Sequence, residues 1–94
     1  MPIQQTGSDE EHVLAAVTQA WHAALGCEGI GPADNFFSLG GNSLMALRIA
    51  NQISTDLGVM PPLRLLFEHS DFGDYVREIG ELLMSHRAEQ GAGR

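Results

Sequence analysis

The sequence contains no lysine: its five basic residues are all arginine, and they are outnumbered by twelve acidic residues. The resulting net charge of −7 argues against nucleic acids and anionic membranes as partners, because both bind clustered positive charge. The same acidity favours docking against basic surfaces of partner proteins. It also keeps a small domain soluble, and composition alone does not separate these two roles.

Patterns for disulfides, metal sites and membrane spans are also missing. Cys27 is the only cysteine, which excludes an internal disulfide and a Cys-x-x-Cys metal site. The apolar runs are far too short to span a bilayer, and the first residues lack the basic and apolar regions of a signal peptide. We therefore expect a cytoplasmic protein that binds no metal. The histidines do not have metal-site spacing and are scattered at His12, His22, His69 and His86.

A length of 94 residues corresponds to one domain. Such a chain buries only about 60% of the surface that its unfolded form exposes, so it has one thin core. Little room is left for a deep active site, which counts against an enzyme. The polar or glycine-rich ends predict a flexible N-terminal tail at residues 1–7, a folded domain at 8–87 and a flexible C-terminal tail at 88–94.

Apolar residues recur at helical spacing in three long segments. The first is predicted to begin near Ser8, which has the spacing of a capping box with Glu11, and Asp71 is placed to cap the last. A fourth, shorter segment, residues 63–67, fits one or two helical turns. The pattern predicts an all-α fold, a small four-helix bundle of three main helices and one short helix. The predicted core stripes are Val13, Leu14, Val17, Trp21, Ala24 and Leu25; Ala46, Ile49, Ala50, Ile53 and Leu57; and Phe72, Tyr75, Val76, Ile79, Leu82, Leu83 and His86.

The long connection between the first two main helices, residues 26–42, is unusually apolar. Burying one large apolar side chain contributes roughly 1.5–3 kcal/mol, so parts of this loop are expected to fold back on the core. A short helical turn after Asp34 is compatible with the pattern. The apolar residues of the loop are Ile30, Phe36, Phe37 and Leu39.

Two glycines, Gly40 and Gly41, precede Ser43 at the predicted start of the second helix. Glycines leave space beside the hydroxyl for an approaching enzyme. A helix start offers unpaired backbone N–H groups and a partial positive charge, which suit an attached phosphate. Physical reasoning by itself leaves open that Ser43 is an ordinary residue near a helix cap.

The run from Asp34 to Leu44 resembles the carrier motif of peptidyl carrier proteins from nonribosomal peptide synthesis, which belong to the acyl carrier superfamily. That motif reads Asp-x-Phe-Phe-x-Leu-Gly-Gly-x-Ser-Leu, and all eight of its specified positions match here. The resemblance covers roughly residues 10 to 86 and includes Arg48, Ile53, Pro62-Leu63 and Leu66-Phe67-Glu68.

This resemblance implies that Ser43 carries a covalent 4′-phosphopantetheine, flanked by Gly41 and Asn42. A phosphopantetheinyl transferase would attach the arm from coenzyme A. The arm's thiol would then hold an aminoacyl, peptidyl or related acyl group as a thioester. The resemblance further implies a monomeric carrier that catalyses nothing. Its other partners would be an adenylation-type loading enzyme and condensation or tailoring enzymes of antibiotic or other secondary metabolism.

Four residues at the start of the second helix are candidates for partner docking: Leu44, Met45, Leu47 and Arg48. An exposed apolar pair beside a charge makes a small interface next to the arm. The alternative is that Leu44 and Leu47 pack against the Phe36–Phe37 loop and belong to the core.

Several alternatives stay open at this point. Peptidyl carriers often have His or Asp where this chain has Asn42, which leaves the downstream enzyme class undecided. Fatty-acid carriers usually have Asp-Ser-Leu at the site and acids on the second helix. Residues 44–55 here contain no acid, which favours the peptidyl class over an acyl or aryl carrier of polyketide, fatty-acid or siderophore-type synthesis.

Two alternatives come from other functional classes. A serine hydrolase is disfavoured, because Met45 breaks the Gly-x-Ser-x-Gly pattern and no strand precedes Ser43. An unmodified acidic helical interaction domain would leave Ser43 without an arm. The initial Met1 and the polar tail suit a free-standing carrier, although a piece of a multidomain synthetase would look similar.

Overall fold

A computed structural model describes the backbone of residues 5–92 and the side chains of residues 10–88. It contains four α-helices: α1, Gln5–Leu25; α2, Ser43–Leu57; α3, Leu63–Glu68; and α4, Phe72–Ala92. Within this part of the chain there is no strand, only an isolated bridge between Asn35 and Asp71. The predicted all-α bundle of three main helices and one short helix is confirmed.

The first helix is longer than predicted. It begins at Gln5, so Ser8 lies inside α1, and the expected start near Ser8 is wrong. No proline follows Pro2 in this segment, so nothing there interrupts helical hydrogen bonding. Of the two predicted tails, residues 5–7 and 88–92 continue α1 and α4, and the rest lies outside the described residues. The boundaries at 8 and 87 stay a prediction.

The core lies along the three main helices, close to the predicted stripes. Leu14 is the main exception: its side chain is 48% exposed, so its assignment to the core is wrong. Ala16 and Ala20 are buried instead, which rotates the stripe of α1 and lets its backbone approach its neighbours closely. The buried apolar cluster consists of Val13, Val17, Ala20, Trp21, Phe36, Ala46, Ile49, Ile53, Val59, Leu66, Phe72, Tyr75, Ile79 and Leu83.

Trp21 lies fully buried at the centre of an aromatic group. Its ring meets those of Phe36 and Phe72 edge to face, with centroids 5.8 and 5.0 Å apart, a favoured arrangement of aromatic quadrupoles. The Trp21 indole Nε1 is buried without a hydrogen-bond partner, which costs about 1–3 kcal/mol. The ring contacts and the buried area offset that cost. Trp21 therefore joins α1 to the loop that carries Phe36.

The helix ends follow local rules, with one difference from expectation. Gly58 ends α2 with a φ of 79°, and its N–H donates to the Ser54 carbonyl, as expected for a left-handed cap. Asp71 was predicted to cap α4, and it is the residue before the helix, where its backbone carbonyl accepts from the Tyr75 N–H. Its carboxylate, however, accepts a hydrogen bond from Asn35 Nδ2 at 3.0 Å. The carboxylate therefore joins two segments.

No helix of residues 5–92 is long and apolar enough to cross a membrane.

Burial raises the pKa of the Tyr75 phenol well above its ordinary value of 10.0. Because the folded state favours the neutral phenol, this stabilisation is complete below pH 10 and is lost as the pH rises further. We expect the free energy of unfolding to fall above about pH 10 by up to about 1.4 kcal/mol per pH unit. Urea unfolding at pH 8 and 11 measures this loss. Tyr75→Phe should remove most of it, and an equal loss in that variant would refute the assignment.

Candidate functional site

The loop before α2 is held against the connection between α3 and α4. The Phe36 N–H donates to the Ser70 carbonyl and the Phe72 N–H to the Asp34 carbonyl, both at 2.8 Å. Phe36 is fully buried, and Ile30 and Leu39 pack partly against the core. These contacts confirm that the loop folds back, and they fix its end beside the start of α2.

Asn35 organises the turn that leads to the site. Its side-chain Oδ1 accepts hydrogen bonds from the Phe37 and Ser38 N–H groups at 2.9 and 3.1 Å. Its backbone carbonyl accepts from the Leu39 N–H at 3.0 Å. The helical turn expected after Asp34 is present, and Gly40 ends it with a φ of +97°. Only glycine adopts this conformation without strain.

Gly41 lies directly against the ring of Phe36. A Cβ added at Gly41 would fall well inside van der Waals contact of the ring atoms Cε1, Cζ and Cε2. The sequence suggested that the glycines provide access to the serine. The geometry gives a second and stronger reason for glycine at position 41. The buried ring and the backbone before α2 can lie side by side only when no side chain separates them.

Asn42 is the N-cap of α2. Its backbone is extended, and its side-chain Oδ1 accepts from the Met45 N–H at 3.0 Å. Its carbonyl accepts from the Ala46 N–H at 2.9 Å. These two bonds fix the direction of the first helical turn. Ser43 is consequently the first residue of α2, at a defined position.

The Ser43 side chain is exposed to solvent. Within residues 5–92, no hydrogen bond engages its hydroxyl or the N–H groups of Ser43 and Leu44. These free N–H groups and the positive end of the helix dipole favour an anionic group attached to Ser43. No histidine contacts the hydroxyl: His22 Nδ1 donates to the Cys27 carbonyl, and His69 lies 3.9 Å from Glu78. The site suits a covalently held phosphate, and none of the described histidines is placed to activate the hydroxyl.

The four docking candidates divide into two groups. Leu44 and Leu47 are 58% and 40% exposed, against the alternative that they belong to the core. Arg48 is exposed and forms no ion pair in the described part of the chain. Met45 is partly buried and packs against the core, so its side chain offers a partner less surface than the other three.

Further exposed apolar residues come from the loop and from α3, and sequence reasoning placed two of them differently. Phe37 was expected to pack, but it is 47% exposed and stacks on Phe67 with ring centroids 5.7 Å apart. Phe67 and Leu63 were named only as part of the family resemblance and not as surface residues, although apolar residues crowded into so short a helix cannot all face the core. Met60, in the connection between α2 and α3, was expected to pack in its loop rather than to contact a partner at the rim of the site, but it is also exposed.

A metal centre has no support within the described residues, where no three His, Cys, Asp or Glu side chains are grouped to hold an ion. Cys27 is partly buried, and its thiol lies 3.6 Å from the Leu25 carbonyl.

Comparison with known proteins gives consistent results. A family model described as "Phosphopantetheine attachment site" matches residues 15–79, which include the loop, Ser43, α2 and α3.

The curated relatives are peptide synthetases. Phosphinothricin tripeptide synthetase PhsB of Streptomyces viridochromogenes is 41% identical over 70 residues, which are 74% of this chain and 6% of the synthetase. Gramicidin S synthase 2 of Brevibacillus brevis is 46% identical over 61 residues, which are 65% of this chain and 1% of that protein. This chain thus spans only a small part of the length of these relatives.

Solved carrier-protein structures resemble this chain in fold, and one of them also resembles it in sequence. A peptidyl carrier protein, solved in complex with the phosphopantetheine transferase Sfp and coenzyme A, gives a TM-score of 0.68 at 32% identity, over 73% of this chain and 90% of that one. BlmI, a type-II acyl carrier protein from Streptomyces verticillus, gives a TM-score of 0.74 at 22% identity, over 85% of this chain and 96% of that one. The latter likeness shows the fold alone.

Proposed function

This chain belongs to the phosphopantetheine attachment site family, and from that premise we propose that it is a peptidyl carrier whose Ser43 bears the arm. In the attachment step the Ser43 Oγ attacks the phosphorus that bears the pantetheine in coenzyme A, and the phosphoanhydride bond from that phosphorus to the nucleotide breaks. A phosphodiester forms, adenosine 3′,5′-bisphosphate leaves, and the transferase accepts the hydroxyl proton. The terminal thiol of the arm then holds an aminoacyl, peptidyl or related acyl group as a thioester.

The observation that carries this proposal is the placement of Ser43. It is exposed at the first position of α2, directly after the N-cap residue Asn42 and beside N–H groups that no described residue binds. An attached phosphodiester there is stabilised by the helix terminus. Attachment needs no base from the described residues around Ser43, because the transferase supplies the chemistry. In this proposal the chain is a substrate of its partners and catalyses no step itself.

The partners follow from the relatives and from the surface beside the arm. We propose a phosphopantetheinyl transferase, an adenylation-type loading enzyme and condensation or tailoring enzymes, acting in the cytoplasm on a monomeric carrier. Leu44, Leu47 and Arg48 form the docking surface on α2, with Met45 at its buried edge. A partner enzyme that binds these residues lies next to Ser43. The tether then raises the effective concentration of the cargo at the active site of that enzyme.

The test has two stages. The protein is first treated with coenzyme A and a broad-specificity transferase, and its intact mass should rise by one phosphopantetheine. The modified protein is then charged by an adenylation enzyme with a labelled amino acid, and the bound label should be released by hydroxylamine, as a thioester requires. If the intact mass does not rise, the proposal is wrong.

Leu47→Glu tests the docking surface in the same assay. The change places a carboxylate in an apolar contact next to the arm, so kcat/KM for loading should fall by about tenfold or more, with arm attachment still possible. Ala15→Glu is the matched control, because Ala15 is an exposed residue of α1 outside this surface. Unchanged loading kinetics for Leu47→Glu would exclude Leu47 from the docking surface.

A further inference from the structure

An open apolar groove of about 410 Å³ lies between α1 and α4. Leu14 and Met84, which are 48% and 70% exposed, stand beside it. We call this feature the α1–α4 groove. Its apolar lining is formed by Val13, Leu14, Val76, Gly80, Leu83 and Met84.

The groove lies at the other end of the bundle from Ser43. On α1, His12 immediately precedes the groove residue Val13, and its Nε2 lies 3.3 Å from the Asp56 carbonyl. Asp56 is near the C-terminal end of α2, whereas Ser43 is its first residue. Thirteen residues at 1.5 Å each separate these positions by about 20 Å along α2. An occupant of the groove therefore leaves the arm and its docking surface accessible.

Gly80 is the most informative residue of the groove. It lies in the interior of α4, where glycine is a poor helix former, and its φ is not positive. A Cβ added there would meet no atom of residues 10–88 within 4 Å. Neither backbone conformation nor internal packing requires glycine at this position. Because glycine has no side chain, it leaves the backbone of α4 uncovered in the groove, and another chain can approach it closely.

The charges on the rim indicate the chemistry of the occupant. Glu10 on α1 and Glu81 on α4 line opposite sides of the groove, and neither forms an ion pair within the described residues. Of the two arginines in the lining, Arg77 is paired with Asp74 at 2.9 Å, and Arg87 is also engaged. The carboxylates are thus the charges left to recognise a ligand, which favours a basic one. A second copy, with its own net charge of −7, is repelled.

We propose that the α1–α4 groove binds an amphipathic helix of a partner protein, with apolar anchors in the groove and arginine or lysine beside Glu10 and Glu81. A helix laid in an apolar groove between two helices is a common mode of recognition. Held in this way, the carrier stays near its partner while the arm on Ser43 visits active sites, since tethering raises the effective concentration. The groove requires no modification of Ser43, so this inference goes beyond the carrier assignment.

The experiment uses a designed peptide as the probe. An amphipathic helix of about 18 residues, or about 27 Å, carries leucines on one face and arginines flanking them; a second peptide has glutamates in place of the arginines. Binding to the full chain is followed by NMR titration. We expect saturable binding of the arginine peptide with shifts at groove residues, and affinity at least about tenfold weaker for the glutamate peptide.

Gly80→Leu fills the groove and should weaken binding of the arginine peptide by about tenfold or more. The added Cβ meets no described atom within 4 Å, and leucine is a better helix former than glycine, so the melting temperature should be unchanged or higher and arm attachment unaffected. Ala15→Leu, the matched control, adds the same bulk to an exposed position of α1 outside the groove and should bind like the unaltered protein.

Three outcomes would overturn the proposal. One is no saturable binding of the arginine peptide, and another is binding that Gly80→Leu leaves intact. The third is a concentration-dependent dimer, measured by sedimentation and abolished by Gly80→Leu, which would assign the groove to a second copy. Because arm attachment is measured on the same proteins, none of these outcomes is confused with a failure of the carrier function.

Discussion

Ser43→Ala should abolish attachment of phosphopantetheine completely while leaving the fold intact. The variant removes the only atom that forms the phosphodiester, so no partial activity is expected. The hydroxyl is exposed and makes no hydrogen bond within the described residues. Its loss should therefore change the free energy of unfolding by no more than about 0.5 kcal/mol. Intact mass after treatment with coenzyme A and a transferase measures the first effect, and urea unfolding the second.

Ser38→Ala is the matched control for this prediction. Ser38 is an exposed serine of the same loop, five residues before Ser43, and its contact with Asn35 uses the backbone N–H, which alanine keeps. The variant should accept one phosphopantetheine as the unaltered chain does. Full modification of Ser43→Ala would place the arm elsewhere, and loss of modification in both variants would point to a damaged loop.

Gly41→Ala should cause the largest loss of stability that a single methyl group produces in this chain. The methyl would overlap three carbons of the Phe36 ring, and that ring is fully buried against Trp21, so it has little room to move. Overpacking of this kind costs about 1–3 kcal/mol or more, and we expect the upper part of that range. For a domain of this size the melting temperature should fall by roughly 10–20 °C.

Gly31→Ala separates this steric effect from the general effect of replacing a loop glycine. Gly31 lies in the same connection, its φ is not positive, and an added Cβ would only touch Asp34 Oδ2 at 4.0 Å. Its stability should change by less than about 1 kcal/mol. Phe36→Leu, which shortens the obstructing side chain, should be less destabilising when combined with Gly41→Ala than the sum of the two single changes. Strict additivity would show that Gly41 and Phe36 do not interact in this way.

Periodicity predicted most of the fold because it depends on local spacing. In α2, the buried Ile49 and Ile53 and the stop at Gly58 all follow from neighbouring residues. The start of α1 was less predictable. Ser8 and Glu11 have the spacing of a capping box, but the same residues also occur in the interior of longer helices. Only the lack of a helix breaker before Ser8 indicates that the helix begins earlier.

Features that depend on contacts between distant segments could not be predicted. The exposure of Leu14 depends on how α1 is rotated against its neighbours, which alanines at 16 and 20 determine jointly with α2 and α4. The carboxylate of Asp71 is within reach of the α4 N-terminus, yet it binds Asn35, 36 residues away in sequence. The contact of Gly41 with Phe36 is similar, because glycine gives no sign in the sequence of which side chain it accommodates.

The candidate site shows the same division. The family motif identified Ser43 and its flanking residues, and the structure adds the cap at Asn42 and the exposure of Leu44 and Leu47. Their roles in attachment and docking stay predictions. The α1–α4 groove had no signal in the sequence, because four of its apolar lining residues were assigned to the core stripes: Val13, Leu14, Val76 and Leu83. The exposure of Leu14 and Met84 and the open space beside Gly80 distinguish it from a packed helix pair.

Locating the added mass within the unaltered chain tests the central claim most directly. The first arginine is Arg48 and there is no lysine, so trypsin leaves Ser8, Ser38 and Ser43 in one fragment, residues 1–48. Tandem fragmentation between Leu39 and Asn42 separates the last two serines. After reaction with coenzyme A and a competent transferase, fragment ions that contain Ser43 but not Ser38 should carry one phosphopantetheine. The group on any other residue, or on none, would contradict the account.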